Sequence, residues 1–520
     1  MNKPIKNIVI VGGGSAGWIT AGLLAAEHKT NNDNAITITL IESPEIKTIG
    51  VGEGTWPSMR NTLDKIGIKE SEFIAQCNAS FKQGSKFVNW QGIQNNDIYY
   101  HPFMTPEGYT QVNLHHGWQH SNSNKSFADT INMQSHICHR GLAPKQASTP
   151  EYASVTNYGY HLDAGKFSHM LQTHCTKVLG VKHVIAHINQ IHNDENDYIT
   201  HIEISPKGRI SGDLFIDCSG LNALLIDKHY KIPFIDKNHI LFNDSALAVQ
   251  APYCDPDEDI ASATVSTAQS AGWVWDIGLS NRRGIGYTYS SKHTCDTEAE
   301  KTLKAYLSET INDQKIQNLN IRKLNFKPGH REKFWHKNCI AVGMSSGFLE
   351  PLEASSLALV ELSANMISEE LPANFEHMNI IAKRFNERFE YRWQRVIEFL
   401  KLHYVISKRT DSQYWLDNKT PESIPKRLKE LLTLWQYQPP NINDFVQNQE
   451  VFPSASYQYV IYGMGFNTTA YPTDKAFNNI ALAQRYFAHN QETKLKYLNA
   501  LPSNRELLNH IKNNCLQNTG

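Results

Sequence analysis

Short β-branched runs alternate with longer Ala/Leu-rich stretches near the start of the chain, and that alternation predicts a βαβ unit. Asn7-Ile8-Val9-Ile10-Val11 shows no polar alternation, the pattern of a strand buried on both faces. Gly12 to Gly17 reads as a turn, Trp18 to Glu27 as a helix, and Ala35 to Ile41 as a second strand ending at Glu42. The unit is about 35 residues long, which is what a parallel crossover needs.

From about 80 to 165 the periodicity is lost. Tyr99-Tyr100-His101-Pro102-Phe103 and Leu114-His115-His116-Gly117-Trp118-Gln119-His120 crowd aromatic and imidazole side chains together. That texture predicts a strand or two followed by an insertion lying over a pocket. A helix near Lys166–Leu179 follows, then strands His183–Ile191 and Ile199–Ile204. The run from Asp213 to Cys218 is a further strand, entering a glycine turn at Ser219-Gly220. After a mixed region to about 335, Cys339-Ile340-Ala341-Val342-Gly343 is another short buried strand, leading to a helix that starts near Ser355 or Ser356. Beyond about 372 the chain reads as mostly helical. Phe385, Phe389, Trp393, Val396, Ile397, Leu400 and Val405 recur at helical spacing, an amphipathic face packed on the body.

Composition narrows the class. The 520 residues are 40% hydrophobic and 19% charged, which is globular, and 50 Lys+Arg against 51 Asp+Glu leave a net charge of −1. Nothing in that balance argues for a nucleic-acid or membrane partner. Eight cysteines are scattered with no C-x-x-C pair, which suits reduced thiols in the cytoplasm. No apolar stretch approaches the roughly 18 residues of a membrane span, and the N-terminus lacks a signal-peptide cleavage site. The expectation is a soluble cytoplasmic enzyme, with homodimerisation left open.

Gly12-x-Gly14-x-x-Gly17 follows a strand and opens a helix. Gly12 allows the tight turn, Gly14 a close backbone approach to a pyrophosphate, and Gly17 close helix–strand packing. Around Ser15 and Ala16 the free N–H groups and the helix dipole would hold the phosphates. Glu42 stands 25 residues after Gly17, placed to accept hydrogen bonds from ribose hydroxyls. Strand–glycine junctions recur at Asp217-Cys218-Ser219-Gly220 and Val342-Gly343. Contacts so far along the chain favour a long cofactor, hence FAD. No second GxGxxG is present, so no dedicated NAD(P)H site is expected. A separate flavin reductase would then supply the reduced cofactor.

Several further segments, in order, carry a family resemblance. These are Gly50-Val51-Gly52-Glu53-Gly54-Thr55-Trp56-Pro57, Phe81-Lys82-Gln83-Gly84-Ser85-Lys86-Phe87-Val88-Asn89-Trp90, Trp273-Val274-Trp275-Asp276-Ile277-Gly278 and Phe348-Leu349-Glu350-Pro351-Leu352-Glu353. The helix containing Phe389, Trp393, Phe399, Leu400, Leu402, His403 and Tyr404 adds to them. Together they resemble the flavin-dependent tryptophan halogenases over residues 5 to 410, and more faintly to 470. Two departures stand out. Gly278 replaces the last proline of the family's W-x-W-x-I-P signature, and Ala354-Ser355-Ser356 stands where the family often reads Ser-Thr-Gly.

The resemblance implies an α/β fold: a Rossmann-like, GR2-type three-layer FAD-binding domain, a mixed-sheet substrate region and a mainly α-helical C-terminal lobe. The expected division is 1–370, with the insertion at about 80–165, and 371–520 packed on the substrate site. It implies that reduced FAD, O2 and chloride or bromide generate hypohalous acid, which reaches an indole-type aromatic. Lys82 would meet that acid, although an ordinary strand lysine keeps its head in water and Lys86 lies on the same side of a regular strand. Glu353 would take the ring proton, or it simply stabilises a helix N-terminus. The backbone N–H groups of Ser355 and Ser356 would hold the halide, and either hydroxyl is placed to cap the same helix. Glu350 is read as structural.

Glu53 and Gly54 of the strap would line the flavin, with Ile188, Met344 and Leu357 as further contacts. His101, Pro102 and Phe103 would flank the substrate ring. Tyr457, with Tyr459 and the Gly463–Phe466 segment, would complete the pocket. The glutamate that grips the amino-acid group in tryptophan-specific members has no counterpart, which puts free tryptophan in doubt. The histidines of 115–139 lack tight ligand spacing, so no metal is expected. A flavin hydroxylase, or an FAD-binding protein without halogenating activity, are the competing readings.

Overall fold

The apolar run Asn7–Val11 becomes the inner strand of a six-stranded sheet in the computed structural model, which describes residues 4–28, 36–45, 52–92, 97–121, 124–206, 208–469 and 479–518. The strand order is Trp335–His336, Cys339–Ala341, Leu214–Asp217, Asn7–Val11, Thr37–Glu42 and Lys182–Ile185. All neighbours pair in parallel except Trp335–His336 with Cys339–Ala341. Helix Ser15–His28 packs against helices Ser355–Glu369 and Ala164–Lys177. Val9, Val11, Ile41 and Phe215 form the core beneath the other face, closed by Ile202 from the hairpin His187–Asn193 and Ile199–Ser205.

These elements belong to one compact unit, Met1–Asn78, Leu162–Lys237 and Lys327–Trp393. The second unit is Ala79–His161, Asn238–Phe326 and Gln394–Gly520. The expected single division near 370 is replaced by two interleaved units, because strands distant in sequence share each sheet. The boundary at 393–394 falls inside helix Phe375–Val405.

The second unit is built on a seven-stranded sheet ordered Arg322–Asn325, Ser245–Ala251, Arg283–Tyr289, Gly272–Gly278, Thr264–Gln269, Gly84–Val88 and Ile98–Pro102. Its pairings are antiparallel except that of Thr264–Gln269 with Gly84–Val88. Among the described residues, the region of lost periodicity holds three short helices, Leu114–Gln119, Phe127–Ile131 and Gln134–His139; Asn113 caps the first and Ser126 the second. Helix Ile480–Ala500 packs on all three, and helix Ser454–Gly463 lies on strand Ile98–Pro102.

Three boundaries differ from the pattern reading. Strand His183–Ile191 is two strands, Lys182–Ile185 and His187–Asn193, because the chain leaves the parallel sheet after Ala186 bonds the Glu42 carbonyl. The helix read from Lys166 begins at Ala164, since Asp163 accepts hydrogen bonds from the Gly165 and Lys166 amides. Ala35 lies outside the described residues, and the second strand is Thr37–Glu42.

Candidate active site

In the first unit, sterics account for the glycine turn. A Cβ on Gly17 would sit 1.9 Å from the Gly12 carbonyl oxygen, and one on Gly12, at φ 118°, would sit 2.2 Å from that of Cys218. Side chains at these two positions would break the turn. A Cβ on Gly14 would meet nothing within 4 Å, so the turn is open on that side. The helix beyond it has no acidic residue in its first turn. An open turn, unopposed amides and two strand-end loops at Gly220–Asn222 and Gly343–Ser345 fit a bound dinucleotide. Ser15 hydrogen-bonds Ser168 at 3.0 Å, and a Cβ on Gly343 would press Ala16 at 2.8 Å. The Glu42 carboxylate lies against Gly13 and is 2.8 Å from His183 Nε2, a partner that the spacing did not reveal.

The other expected cofactor contacts are spread out. Met344 is 42% exposed on the Gly343–Ser345 loop, while Leu357 is buried in the first turns of helix Ser355–Glu369. Ile188 packs against the core cluster of the parallel sheet. Of the strap, Gly50 and Val51 lie outside the described residues. Gly54 is buried, and burial pushes the Glu53 carboxyl up to about 7.

Glu353 sits in a strained turn of the same unit. It is buried at φ 62° and ψ 10°, and Ala354 follows at φ 53° and ψ 43°. Two successive non-glycine residues in the left-handed region cost roughly 1–2 kcal/mol each. The Trp56 indole N–H holds the turn by donating to the Glu353 carbonyl at 2.8 Å. Ala354, without a side-chain cap, is therefore the N-cap of helix Ser355–Glu369. This corrects the expectation that Ser355 or Ser356 caps it, since both already stand inside the helix. With no capping side chain over them, the first-turn amides stay available to an anion. One helical face further on, buried Glu361 accepts hydrogen bonds from Ser58 at 3.0 Å and Thr62 at 2.5 Å, and burial pushes its carboxyl up to about 7.

Lys82 belongs to the second unit. Strand Ser80–Lys82 pairs antiparallel with Gly159–Leu162, Ser80 opposite His161 and Lys82 opposite Gly159. Ser80, Lys82 and His161 thus share a face. The Ser80 hydroxyl donates to the Gly278 carbonyl at 2.5 Å, a contact that a proline there would equally provide. Lys82 is fully buried, its Nζ 5.2 Å from the centre of the Phe103 ring. His161 is also fully buried, with Nε2 2.8 Å from Thr264 Oγ1. Burial, with the Lys82 charge second, holds that imidazole well below its ordinary value, so it is neutral. Lys82 and Lys86 do not share one regular strand: the chain changes sheet at Gln83, and half-buried Lys86 belongs to the seven-stranded one.

His101 is buried on strand Ile98–Pro102, its ring 6.0 Å from Tyr459 and 5.8 Å from Phe399. Pro102 ends that strand opposite Gly84, and the Phe103 amide donates to the Gln83 carbonyl at 3.0 Å. Tyr457 packs instead against Phe399, Phe445 and Trp435. Two residues apart on a helix, Tyr457 and Tyr459 face nearly opposite ways. The Tyr459 hydroxyl donates to the Met104 carbonyl at 3.0 Å and accepts from Asn132 at 2.7 Å. His115 is stacked on Tyr462 with ring centres 3.8 Å apart, and burial pushes it down to about 3. Sequence reasoning missed His161 and Glu361, neither of which has a local signature, and it quoted Trp56 within the strap motif without giving it a role.

The family model for tryptophan halogenase matches residues 7–478. The 7-chloro-L-tryptophan 6-halogenase KtzR of Kutzneria sp. (strain 744) is 30% identical over 97% of this chain and 99% of its own. The tryptophan 7-halogenase RebH of Lentzea aerocolonigenes is 32% identical over 81% of this chain and 80% of its own. Among solved structures, the tryptophan halogenase of Shewanella frigidimarina NCIMB 400 superposes with a TM-score of 0.95 at 50% identity, covering 99% of this chain and 98% of that one. No helix among the described residues is long and apolar enough to cross a membrane.

Proposed function

The chain belongs to the tryptophan halogenase family of flavin-dependent enzymes, and on that premise we propose that it halogenates an indole-type aromatic, with free indole preferred over tryptophan. FAD would be held by Gly12, Gly14, Ser15, Ala16 and Gly17 at the phosphates and by Glu42 at the ribose, with Glu53 and Gly54 along its length. Reduced by a separate flavin reductase and met by O2, it supplies the oxidising equivalents that turn chloride or bromide into hypohalous acid. The amides of Ser355 and Ser356 bind the halide. Lys82 Nζ donates a hydrogen bond to the hypohalous acid and polarises its O–X bond. Glu353 would stabilise the positive charge that builds on the ring and accept the departing proton. His101, Pro102 and Phe103 hold the ring in register.

The observation that carries this reading is Lys82 itself: a fully buried ammonium between an aromatic face and a neutral imidazole. Burial of this kind strengthens every polar contact the ammonium makes. The preference for indole rests on the missing glutamate and on Tyr459, whose hydroxyl is already engaged by Met104 and Asn132. The test is mass spectrometry of indole and tryptophan incubated with the protein, FAD, a flavin reductase, NADH and bromide. A bromine isotope doublet on indole exceeding that on tryptophan is expected. Equal or better turnover of tryptophan would overturn the preference. A hydroxylated product formed without halide would favour a flavin hydroxylase instead.

A further inference from the structure

The hairpin of strands His187–Asn193 and Ile199–Ser205, under the parallel sheet of the first unit, presents an unusual outer face. Its inner face carries Ile191 and Ile202, paired directly and turned to the core. On the outer face His192 is directly opposite His201, and Glu203 is two residues along from His201 on the same side. One ligand atom from each of the three lies within 4.8 Å of the other two. The two imidazoles lie parallel, 4.4 Å between centres and 2° between planes.

Hydrogen bonding assigns the lone pairs. Thr200 Oγ1 donates its single proton to the His192 carbonyl at 3.1 Å, and it lies 2.9 Å from His201 Nδ1. Having no second proton, it accepts from His201 Nδ1–H, which leaves the lone pair of His201 on Nε2. That is the arrangement by which an outer hydrogen bond sets the tautomer and orientation of a metal-binding histidine. His192 Nε2 lies 3.1 Å from Glu203 Oε1, yet it is shut off from water and makes no hydrogen bond among the described residues. A tetrahedral ion with bonds of about 2.0–2.2 Å would separate its ligand atoms by about 3.3 Å. The facing nitrogen and oxygen already stand near that spacing.

We propose that His192, His201 and Glu203 form a binding site for a divalent first-row cation of the zinc type, separate from the halogenation chemistry. Two imidazoles and a carboxylate suit such ions, with water completing the coordination. Among the groups around the site, exposed Arg209 lies opposite Glu203 across the next strand and opposes cation binding. The histidines of 115–139 did not suggest this site, because its ligands come from two strands and meet only through pairing.

The test is titration of the full-length protein with Zn2+ by calorimetry, and with Co2+ by its visible ligand-field bands. One equivalent binding in the micromolar range or tighter is expected. His192→Ala and His201→Ala should each weaken it at least tenfold. Arg209→Gln should tighten it several-fold, a gain that loss of fold cannot produce. His120→Ala is the control for adventitious histidine binding and should leave the titration unchanged. An equivalent that survives in the double variant H192A/H201A, or a wild-type protein with no such equivalent, would overturn the assignment.

Discussion

Glu353 and Lys82 are both buried ionisable residues, and they are held in opposite ways. Glu353 is fixed through its backbone: two left-handed residues in succession, with the Trp56 indole clamped on the carbonyl. Lys82 stands on a regular strand and takes its environment from side chains, the Phe103 ring and the neutral His161 imidazole. Strain in the first case sets where a carboxylate points; walls in the second set what an ammonium feels. Changes to the backbone and its clamp should therefore disturb Glu353, whereas changes to neighbouring side chains should disturb Lys82.

The largest expected effect comes from removing the lysine. Lys82→Ala should abolish halogenated product, a loss of about a thousandfold or more, while FAD affinity by fluorescence quenching stays within a factor of two or so of wild type. Retained product would remove Lys82 from the chemistry. Glu353→Gln should lower kcat by about a hundredfold, the scale of a lost general base, with little change in KM. Trp56→Phe keeps the ring but deletes the N–H that holds the turn. It should cost about tenfold in kcat, less than Glu353→Gln, if the clamp only orients the carboxylate. A loss as large as that of the carboxylate itself would mean that the turn collapses without it.

A smaller effect is expected at His161, and its pH dependence is the sharper readout. Its folded value lies well below the unfolded one, near 6.5, so below about pH 6.5 the unfolded chain binds a proton that the folded chain refuses. Stability contributed by this site is complete above that pH and is lost as the pH falls through it. His161→Gln keeps a neutral hydrogen-bonding group and removes the acid sensitivity. Its Tm should fall less than that of wild type between pH 7 and pH 5, as read by calorimetry. His115, pushed down to about 3 by the same burial, adds a second contribution of the same sign, so the variant should flatten the profile without abolishing it.

The same division explains what was legible in the sequence. The glycine turn was readable because its constraint is local: Gly17 must clear the Gly12 carbonyl five residues earlier. The family resemblance was readable because its motifs are contiguous. What surrounds Lys82 was not, because His161 joins it only through strand pairing, as Thr264 and Gly278 join His161 and Ser80 beside it. Ser355 was read as a cap because serine usually is one, whereas the cap is Ala354 in a conformation that alanine rarely adopts. The interleaved units escaped for the reason that hid the His192 cluster: β-branched runs announce strands but not their partners.

Glu361 offers the mildest way to sharpen the comparison, because it acts on the helix behind the Glu353 turn without touching the turn. Its carboxyl is raised from 4.5 to about 7, so between those values the folded protein holds a proton that the unfolded chain has released. Stability falls as the pH rises through that window and stays reduced above it. Glu361→Gln removes the penalty but keeps an oxygen to accept from Thr62 or Ser58. At pH 8 it should raise stability by ~3 kcal/mol, less whatever the second hydrogen bond contributed, and at pH 4.5 it should change little. Halogenation at pH 8 should be unaltered if the helix supports Glu353 only as a platform. A parallel loss of activity would show instead that the Glu361 charge reaches the turn, and the separation between backbone-held and wall-held groups would then fail at its simplest point.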